Sequence, residues 1–141
     1  MNPEEQYHEL ACYTLAHKSA DFIHQHVVDA FAAQHALVSD KPIRLAFALA
    51  GLYLHIECRC NGKEVQRAHQ AIAATKRAWP AFSIPEYRGN VTVADVLAAN
   101  PGADRDGMID AWCRSVWAAF GGSHSAIERW LGEFDLPRRD G

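Results

Sequence analysis

The chain has 141 residues, of which 49% are hydrophobic and 22% charged. These fractions are ordinary for a globular protein, and the length suits one domain better than two. A formal net charge of -3 argues against the strongly basic surface of a nucleic-acid-binding protein.

Residues typical of helix starts and helix ends recur along the chain, whereas the alternation typical of strands is weak. Asn2 is followed by a proline and two glutamates, as at many helix N-termini. Thr92 with Asp95 predicts a capping box, and the glycine pair after Phe120 predicts a helix end. The predicted helices span residues 2–17, 19–36, 42–57, 63–79, 92–100 and 108–120, and a last one begins at Ser123 or Ser125.

Two segments are predicted to be irregular. PAFSIPEYRGN (80–90) contains two prolines and a glycine and is interpreted as a crossing segment, and PGADRDG (101–107) as a loop. Short connections make the first four helices antiparallel neighbours, with the highly apolar third helix at the centre. The sequence therefore predicts an all-α fold, an antiparallel four-helix core with two or three additional C-terminal helices, as a single helical domain over residues 1–141.

The sequence also bears on location and partners. The N-terminal stretch MNPEEQYHEL is acidic and polar, unlike a secretory signal peptide. The longest apolar run, 43–56, is interrupted by Arg44 and His55 and is shorter than the ~20 residues of a membrane-spanning helix. The four cysteines have no disulfide-scaffold spacing. We expect a cytoplasmic protein with reduced thiols and with no membrane or nucleic-acid partner.

The stretch FIHQHVVDAFAAQHALV (22–38) places three histidines and one aspartate in an otherwise apolar helical run. Because a helix turns about 100° per residue, faces can be assigned by counting. His24 and His35 fall within the predicted buried face of the second helix. His26 and Asp29 fall on its polar face, where a solvated pair is expected.

Three other helices contribute to the predicted site. His69 lies in the buried arc of the fourth helix, and His8 and Cys12 lie along the edge of the buried face of the first. The third helix has one narrow stripe of small or polar side chains, which either lets a neighbouring helix approach closely or leaves room for a ligand. That stripe consists of Arg44, Ala48, Gly51 and His55.

The heights of these residues can be compared by counting outward from each helix connection. By this count His24 comes level with His55 and with Cys12, and His55 comes within one turn of His69. We therefore expect His24, His55 and His69, with Cys12 or His8, to lie at one level of the bundle.

Converging imidazoles suit a divalent transition metal such as zinc, iron or nickel. The candidate metal ligands are His24, His55 and His69, with His8 or Cys12 as a fourth group. A bound metal would lower the pKa of a coordinated water and support hydrolysis or group transfer on a small molecule. No HExxH motif or other catalytic signature is present.

Two alternatives fit the same residues. The histidines could line a metal-free polar pocket, or each could be a hydrogen-bonded structural residue in a non-catalytic ligand-binding or protein-interaction module. Such a module could form a homodimer through the apolar C-terminal helices. Cys58 and Cys60, in the segment CRC, are interpreted as a surface feature at a helix end rather than as a redox pair.

Seven segments in order carry a family resemblance: YHELACYTLAH, FIHQHVVDAFAAQ, KPIRLAFALAGLYLHIE, VQRAHQ, WPAF, TVADVLAA and AWCRSVWAAF. Together they resemble a family of small bacterial proteins, domain of unknown function 5946. The resemblance implies that His8, His24, His55 and His69 lie within signature segments of that family, and it implies no activity or catalytic residue. The predicted bundle is also similar to damage-inducible, metal-binding four-helix proteins that use three histidines, although their histidine spacing is not reproduced here.

Overall fold

A computed structural model describes residues 1–17, 21–75 and 78–136. These residues form seven α-helices and one short 3-10 helix, with no strand among them, so the all-α prediction is confirmed. No helix within the described ranges is long and apolar enough to cross a membrane. The helices are α1 (Pro3–Ala16), α2 (His24–Gln34), α3 (Pro42–Ile56), α4 (Gly62–Ala73), α5 (Val93–Ala98), α6 (Ala103–Ala119) and α7 (His124–Leu131), with the 3-10 turn at Gly121–Ser123.

Two helix starts follow from local side-chain caps. The Asn2 side chain accepts the backbone N–H of Glu5 at 2.8 Å and so begins α1. Asn61 and Glu64 form a capping box that begins α4, with both reciprocal hydrogen bonds at 2.9 Å. Each cap uses backbone donors that the helix itself leaves without a partner.

The start of α2 differs from the prediction. The predicted start at Ser19 lies outside the described residues, and α2 begins only at His24, without a side-chain cap from the described residues. Just before it, Phe22 adopts the left-handed backbone region with φ 53°, which is costly for a bulky residue. The first residue of α4 packs against this turn, since a Cβ atom on Gly62 would overlap the Phe22 carbonyl. Packing against α4, rather than a local cap, therefore sets this turn.

Two further boundaries are corrected. α4 ends at Ala73, six residues before the predicted end at Trp79. The Trp79 ring instead packs against Phe47 and Trp130, with ring centroids 5.1 and 6.4 Å apart. Most of the predicted loop 101–107 forms the first turns of α6, where acidic residues favour the positive end of the helix dipole.

α2 and α3 lie together at the centre of the molecule. α2 contacts α1, α3, α4 and α6, and α3 contacts α2, α4, α6 and α7. α6 belongs to the same core, because Trp112 and Cys113 are completely buried. The sequence predicted α3 alone at the centre, whereas α2 is central as well, because other helices cover it on several sides.

The irregular segment between α4 and α5 is tied to the end of α2. Arg88 donates through Nη1 to the carbonyls of Gln34 and Ala36, at 2.9 and 2.7 Å. The Gln34 side chain donates to the Val91 carbonyl at 2.8 Å and accepts from Trp112 Nε1 at 2.8 Å. Arg88 therefore holds the backbone in place instead of meeting a ligand at the surface.

α2 and α3 approach each other closely at Gly51. A Cβ atom at this position would overlap the carboxyl group of Asp29 on α2. The prediction that the small-residue stripe of α3 lets a neighbouring helix approach closely is thereby confirmed at Gly51.

We expect Gly51→Ala to lower the free energy of unfolding by about 1–3 kcal/mol, because the added methyl group must displace a buried carboxyl group. Urea unfolding measures this change. Gly107→Ala on α6 is the matched control, since its added Cβ would meet nothing within 4 Å. The control should raise stability by about 0.5–1 kcal/mol, as usual for glycine in a helix interior. Equal effects of the two substitutions would contradict the close approach.

Candidate functional site

The predicted metal ligands are distributed over separate places. His8 and Cys12 lie on the exposed side of α1, with Nε2 and Sγ 3.9 Å apart. His24 lies 2.9 Å from the Thr14 hydroxyl through Nδ1. His69 donates from Nε2 to the carbonyl of Phe47 at 2.9 Å.

His55 is the one of the five that faces a large cavity. Within the described ranges, no group of three or more histidine, cysteine, aspartate or glutamate side chains could hold a metal ion. The metal centre therefore stays a prediction. A polar site nevertheless forms around His55, with partners other than those that the sequence indicated.

His55 stacks on His26, with ring centroids 3.6 Å apart and ring planes 17° from parallel. Both rings line a cavity of about 580 Å³ between the start of α2, the end of α3 and α6. We call it the His26–His55 cavity. Its charged and ionisable wall is formed by Asp21, His26, His55, Arg59, Asp106 and Arg114.

His26 is buried, contrary to the prediction of a solvated position. It is 6% exposed, and its Nδ1 has no hydrogen-bond partner among the described residues. Burial, assisted by the neighbouring His55, lowers the pKa of His26 to about 3. His26 is therefore a neutral imidazole at physiological pH.

His55 has a hydrogen-bond acceptor at each ring nitrogen. Nε2 lies 3.2 Å from a carboxylate oxygen of Asp110, and Nδ1 lies 3.4 Å from the carbonyl oxygen of Cys60. Arg114 donates to the other oxygen of Asp110 at 2.8 Å, which holds that carboxylate in place. Burial lowers the pKa of His55 overall, although the Cys60 carbonyl and Asp110 act in the opposite direction.

In this geometry, the number of hydrogen bonds that His55 donates depends on its protonation state. A neutral imidazole carries one N–H and can donate to only one of the two oxygens, whereas the imidazolium can donate to both. Burial opposes the charge that the hydrogen bonds favour. Such a balance is what general acid–base catalysis requires of a side chain near neutral pH.

Asp29 is also buried, so the predicted solvated pair with His26 is wrong. It is 3% exposed, Oδ1 accepts from Gln25 at 3.2 Å, and Oδ2 has no partner among the described residues. Burial raises the pKa of the Asp29 carboxyl well above its usual range, which makes a neutral acid the preferred form.

Cys58 and Cys60 are likewise buried, at 6% and 1% exposure, so their interpretation as a surface feature is wrong. The residue between them, Arg59, has a left-handed backbone with φ 58°. This turn places Cys60 beside His55 on the cavity wall. The cysteines therefore shape the site through the backbone.

The sequence contains a signal that could have located His26 in the interior. Residues 22–38 include no lysine, arginine or glutamate, although an exposed helix face normally carries such residues. The missing long charged side chains indicate that both sides of α2 are covered. Asp110 and Arg114 could not be placed in the same way, because their distance from His55 depends on how α6 packs.

Residues 4–121 match the family of unknown function DUF5946. The chain belongs to DUF5946. The family resemblance predicted from the sequence is thereby confirmed. The matched range includes every residue of the His26–His55 cavity. No curated protein and no solved structure matches this DUF5946 chain, so its function has to be argued from the site.

We expect His26→Phe to weaken the acid sensitivity of folding. Unfolded His26 takes up a proton below pH about 6.5, and the folded form does so only near its lowered pKa of about 3. Stability contributed by neutral His26 is therefore lost as pH falls between these values, at about 1.4 kcal/mol per pH unit. Urea unfolding from pH 7 to 5 should show a shallower decline in the variant. The exposed His8→Phe is the control, and an unchanged slope in His26→Phe would contradict the buried neutral ring.

Asp29→Asn is expected to change the pH dependence of the unfolding free energy in the opposite direction. The folded pKa of Asp29 is raised, so its contribution to stability is full below its unfolded pKa and falls as pH rises towards the folded value. The variant should match wild type near pH 4 and then gain on it by about 1.4 kcal/mol per pH unit. A difference in unfolding free energy that does not depend on pH would show that Asp29 is ionised in the fold.

Proposed function

We propose that the protein binds a small polar molecule in the His26–His55 cavity and that His55, oriented by Asp110, exchanges a proton with it. Hydrolysis or group transfer on a small molecule is the class of reaction that this proposal favours. The observation that carries it is that His55 lines a cavity of about 580 Å³ while its Nε2 lies 3.2 Å from the Asp110 carboxylate.

The proton would be accepted at Nδ1 of His55. With the N–H of the neutral ring at Nε2 directed to Asp110, the lone pair of Nδ1 faces the Cys60 carbonyl at 3.4 Å. Two facing acceptors form no hydrogen bond, so Nδ1 gains one when it takes a proton from a bound water or hydroxyl group. Both His55 and Cys60 line the cavity, so a ligand bound there would lie beside this residue pair.

His26 supports the reaction by remaining uncharged. Its ring covers one face of His55 at 3.6 Å and excludes water from that side. It stays neutral because burial lowers its pKa to about 3, so it does not repel a protonated His55. We therefore assign proton transfer to His55 and a positioning role to His26 and Asp110.

The charges of the wall support a polar ligand. Arg59 and Arg114 bring positive charge, whereas Asp21 and Asp106 bring negative charge. Groups of both signs in one small cavity suit a molecule with its own donors and acceptors. A metal-dependent version of the same reaction remains a prediction, because the described residues bring no set of three metal ligands together.

A non-catalytic ligand-binding or interaction module is the second candidate. The observation in its favour is that His24 and His69 are tied to Thr14 and to the Phe47 carbonyl, as structural histidines would be. Dimerisation through the C-terminal helices has less support. The large hydrophobic side chains that are exposed in the described residues lie outside α6 and α7, at Met1, Leu15, Leu37, Val38 and Tyr87.

Hydrolysis of p-nitrophenyl acetate tests the catalytic proposal, because a neutral imidazole catalyses the hydrolysis of this small ester. We expect His55→Gln to slow the protein-catalysed rate by about tenfold or more. His24→Gln is the matched control, since His24 is bound to Thr14 outside the cavity. It should keep the wild-type rate.

The pH profile of the same reaction separates His55 from exposed histidines. Burial lowers the pKa of His55, so its basic form persists in mildly acidic solution. The rate should therefore reach half its plateau below pH about 6.5. A profile centred at or above that pH, or an unchanged rate in His55→Gln, would refute proton transfer by His55.

A further inference from the structure

A second cavity of about 280 Å³ lies between α1, α2, α3 and α4, away from His26 and His55. Its polar side chains are Tyr7, Gln25, Asp29, Arg44 and His69. We call it the Arg44 cavity. It shares no lining residue with the His26–His55 cavity. It therefore needs an explanation of its own.

Arg44 and Tyr7 bring hydrogen-bond donors to this cavity. Among the described residues, neither the Arg44 guanidinium nor the Tyr7 hydroxyl has a hydrogen-bond or ion-pair partner. The two groups are close enough for the charge of Arg44 to lower the pKa of Tyr7, against a larger increase caused by burial. A guanidinium that borders a cavity suits a carboxylate, which it can bind through two parallel hydrogen bonds.

The other polar side chains leave that positive charge uncompensated. Burial raises the pKa of Asp29, which favours its neutral acid, and the side chain is 3% exposed with Oδ2 lacking a partner within the described residues. Burial also lowers the pKa of His69, whose Nε2 donates to the Phe47 carbonyl and whose Nδ1 lies 3.5 Å from the Gln25 amide nitrogen. Arg44 is therefore the one charged side chain among the described residues of this wall, and an anion complements it.

The rest of the wall is apolar and partly aromatic. Phe31 stacks on Tyr7 with ring centroids 4.2 Å apart, and Phe47 borders the same space. An inorganic anion would leave these surfaces uncovered, whereas an organic acid with an apolar body would bury them. The volume of about 280 Å³ suits a molecule smaller than a typical drug.

We propose that the Arg44 cavity binds the carboxylate of a small, apolar organic acid. Arg44 pairs with the carboxylate, the Tyr7 hydroxyl donates a further hydrogen bond, and Phe31 and Phe47 contact the body of the acid. This site is separate from the one assigned to proton transfer and does not depend on it.

The test is a titration of the full chain with sodium benzoate, followed by amide NMR shifts at constant ionic strength. Benzamide is the matched neutral probe, because it has the same shape without the charge. We expect saturable binding of benzoate with affinity about tenfold or more above that of benzamide. Inorganic phosphate should bind more weakly than benzoate.

Variants locate the binding. Arg44→Gln should weaken benzoate binding by about tenfold or more, and Tyr7→Phe by a few fold, about the loss expected for one hydrogen bond. Arg67→Gln, on the exposed side of α4, is the control and should bind as wild type does. Because Arg44 is exposed at the rim, its replacement should leave the thermal midpoint of unfolding unchanged.

Three outcomes would overturn the proposal. They are the absence of saturable benzoate binding in the millimolar range, equal affinities for benzoate and benzamide or for benzoate and phosphate, and wild-type affinity in a folded Arg44→Gln. The ester-hydrolysis assay tests His55, whereas the benzoate titration tests the Arg44 cavity. A negative result in one experiment therefore leaves the other proposal standing.

Discussion

The packing of α2 on α3 depends on the contact between Asp29 and Gly51. A side chain larger than hydrogen at Gly51 would have to displace the Asp29 carboxyl group, which occupies that space. A buried carboxyl group with one oxygen lacking a partner within the described residues is costly unless it is neutral, and burial raises its pKa in that direction. The close approach of the two central helices therefore buries a carboxyl group whose surroundings favour its neutral form.

Both cavities border the helix pair that this contact brings together. His26 precedes Asp29 by about one helical turn on α2, and His55 follows Gly51 by about one turn on α3. Because the two helices are antiparallel neighbours, these rings meet and stack. Asp29 itself borders the Arg44 cavity. The polar stripe predicted on α3 thus faces a matching polar stripe on α2.

Short sequence patterns predicted those helix starts that depend on interactions between neighbouring residues. The caps at Asn2 and Thr92 are short-range hydrogen bonds between neighbouring residues, and the helix starts that they predict are observed. The burial of His26 depends instead on α6, which begins about eighty residues later and covers the side of α2 that was interpreted as solvated. Counting along the chain placed His55 level with His24, and the ring observed against His55 is that of His26, two residues further on. The prediction chose His24 rather than His26 because only the most apolar face of α2 was assumed to be buried.

The polar interior of α2 is hard to explain by stability alone. An unpartnered imidazole nitrogen at His26 and an unpartnered oxygen at Asp29, each judged among the described residues, cost free energy that an apolar side chain would not. Each also makes folding depend on pH, in opposite directions, through the lowered and raised pKa values. α2 thus buries two polar side chains with unpartnered atoms, and each lies beside a cavity. A functional role explains this arrangement better than packing does. The same argument favours a bound molecule over a purely structural role for His26 and His55.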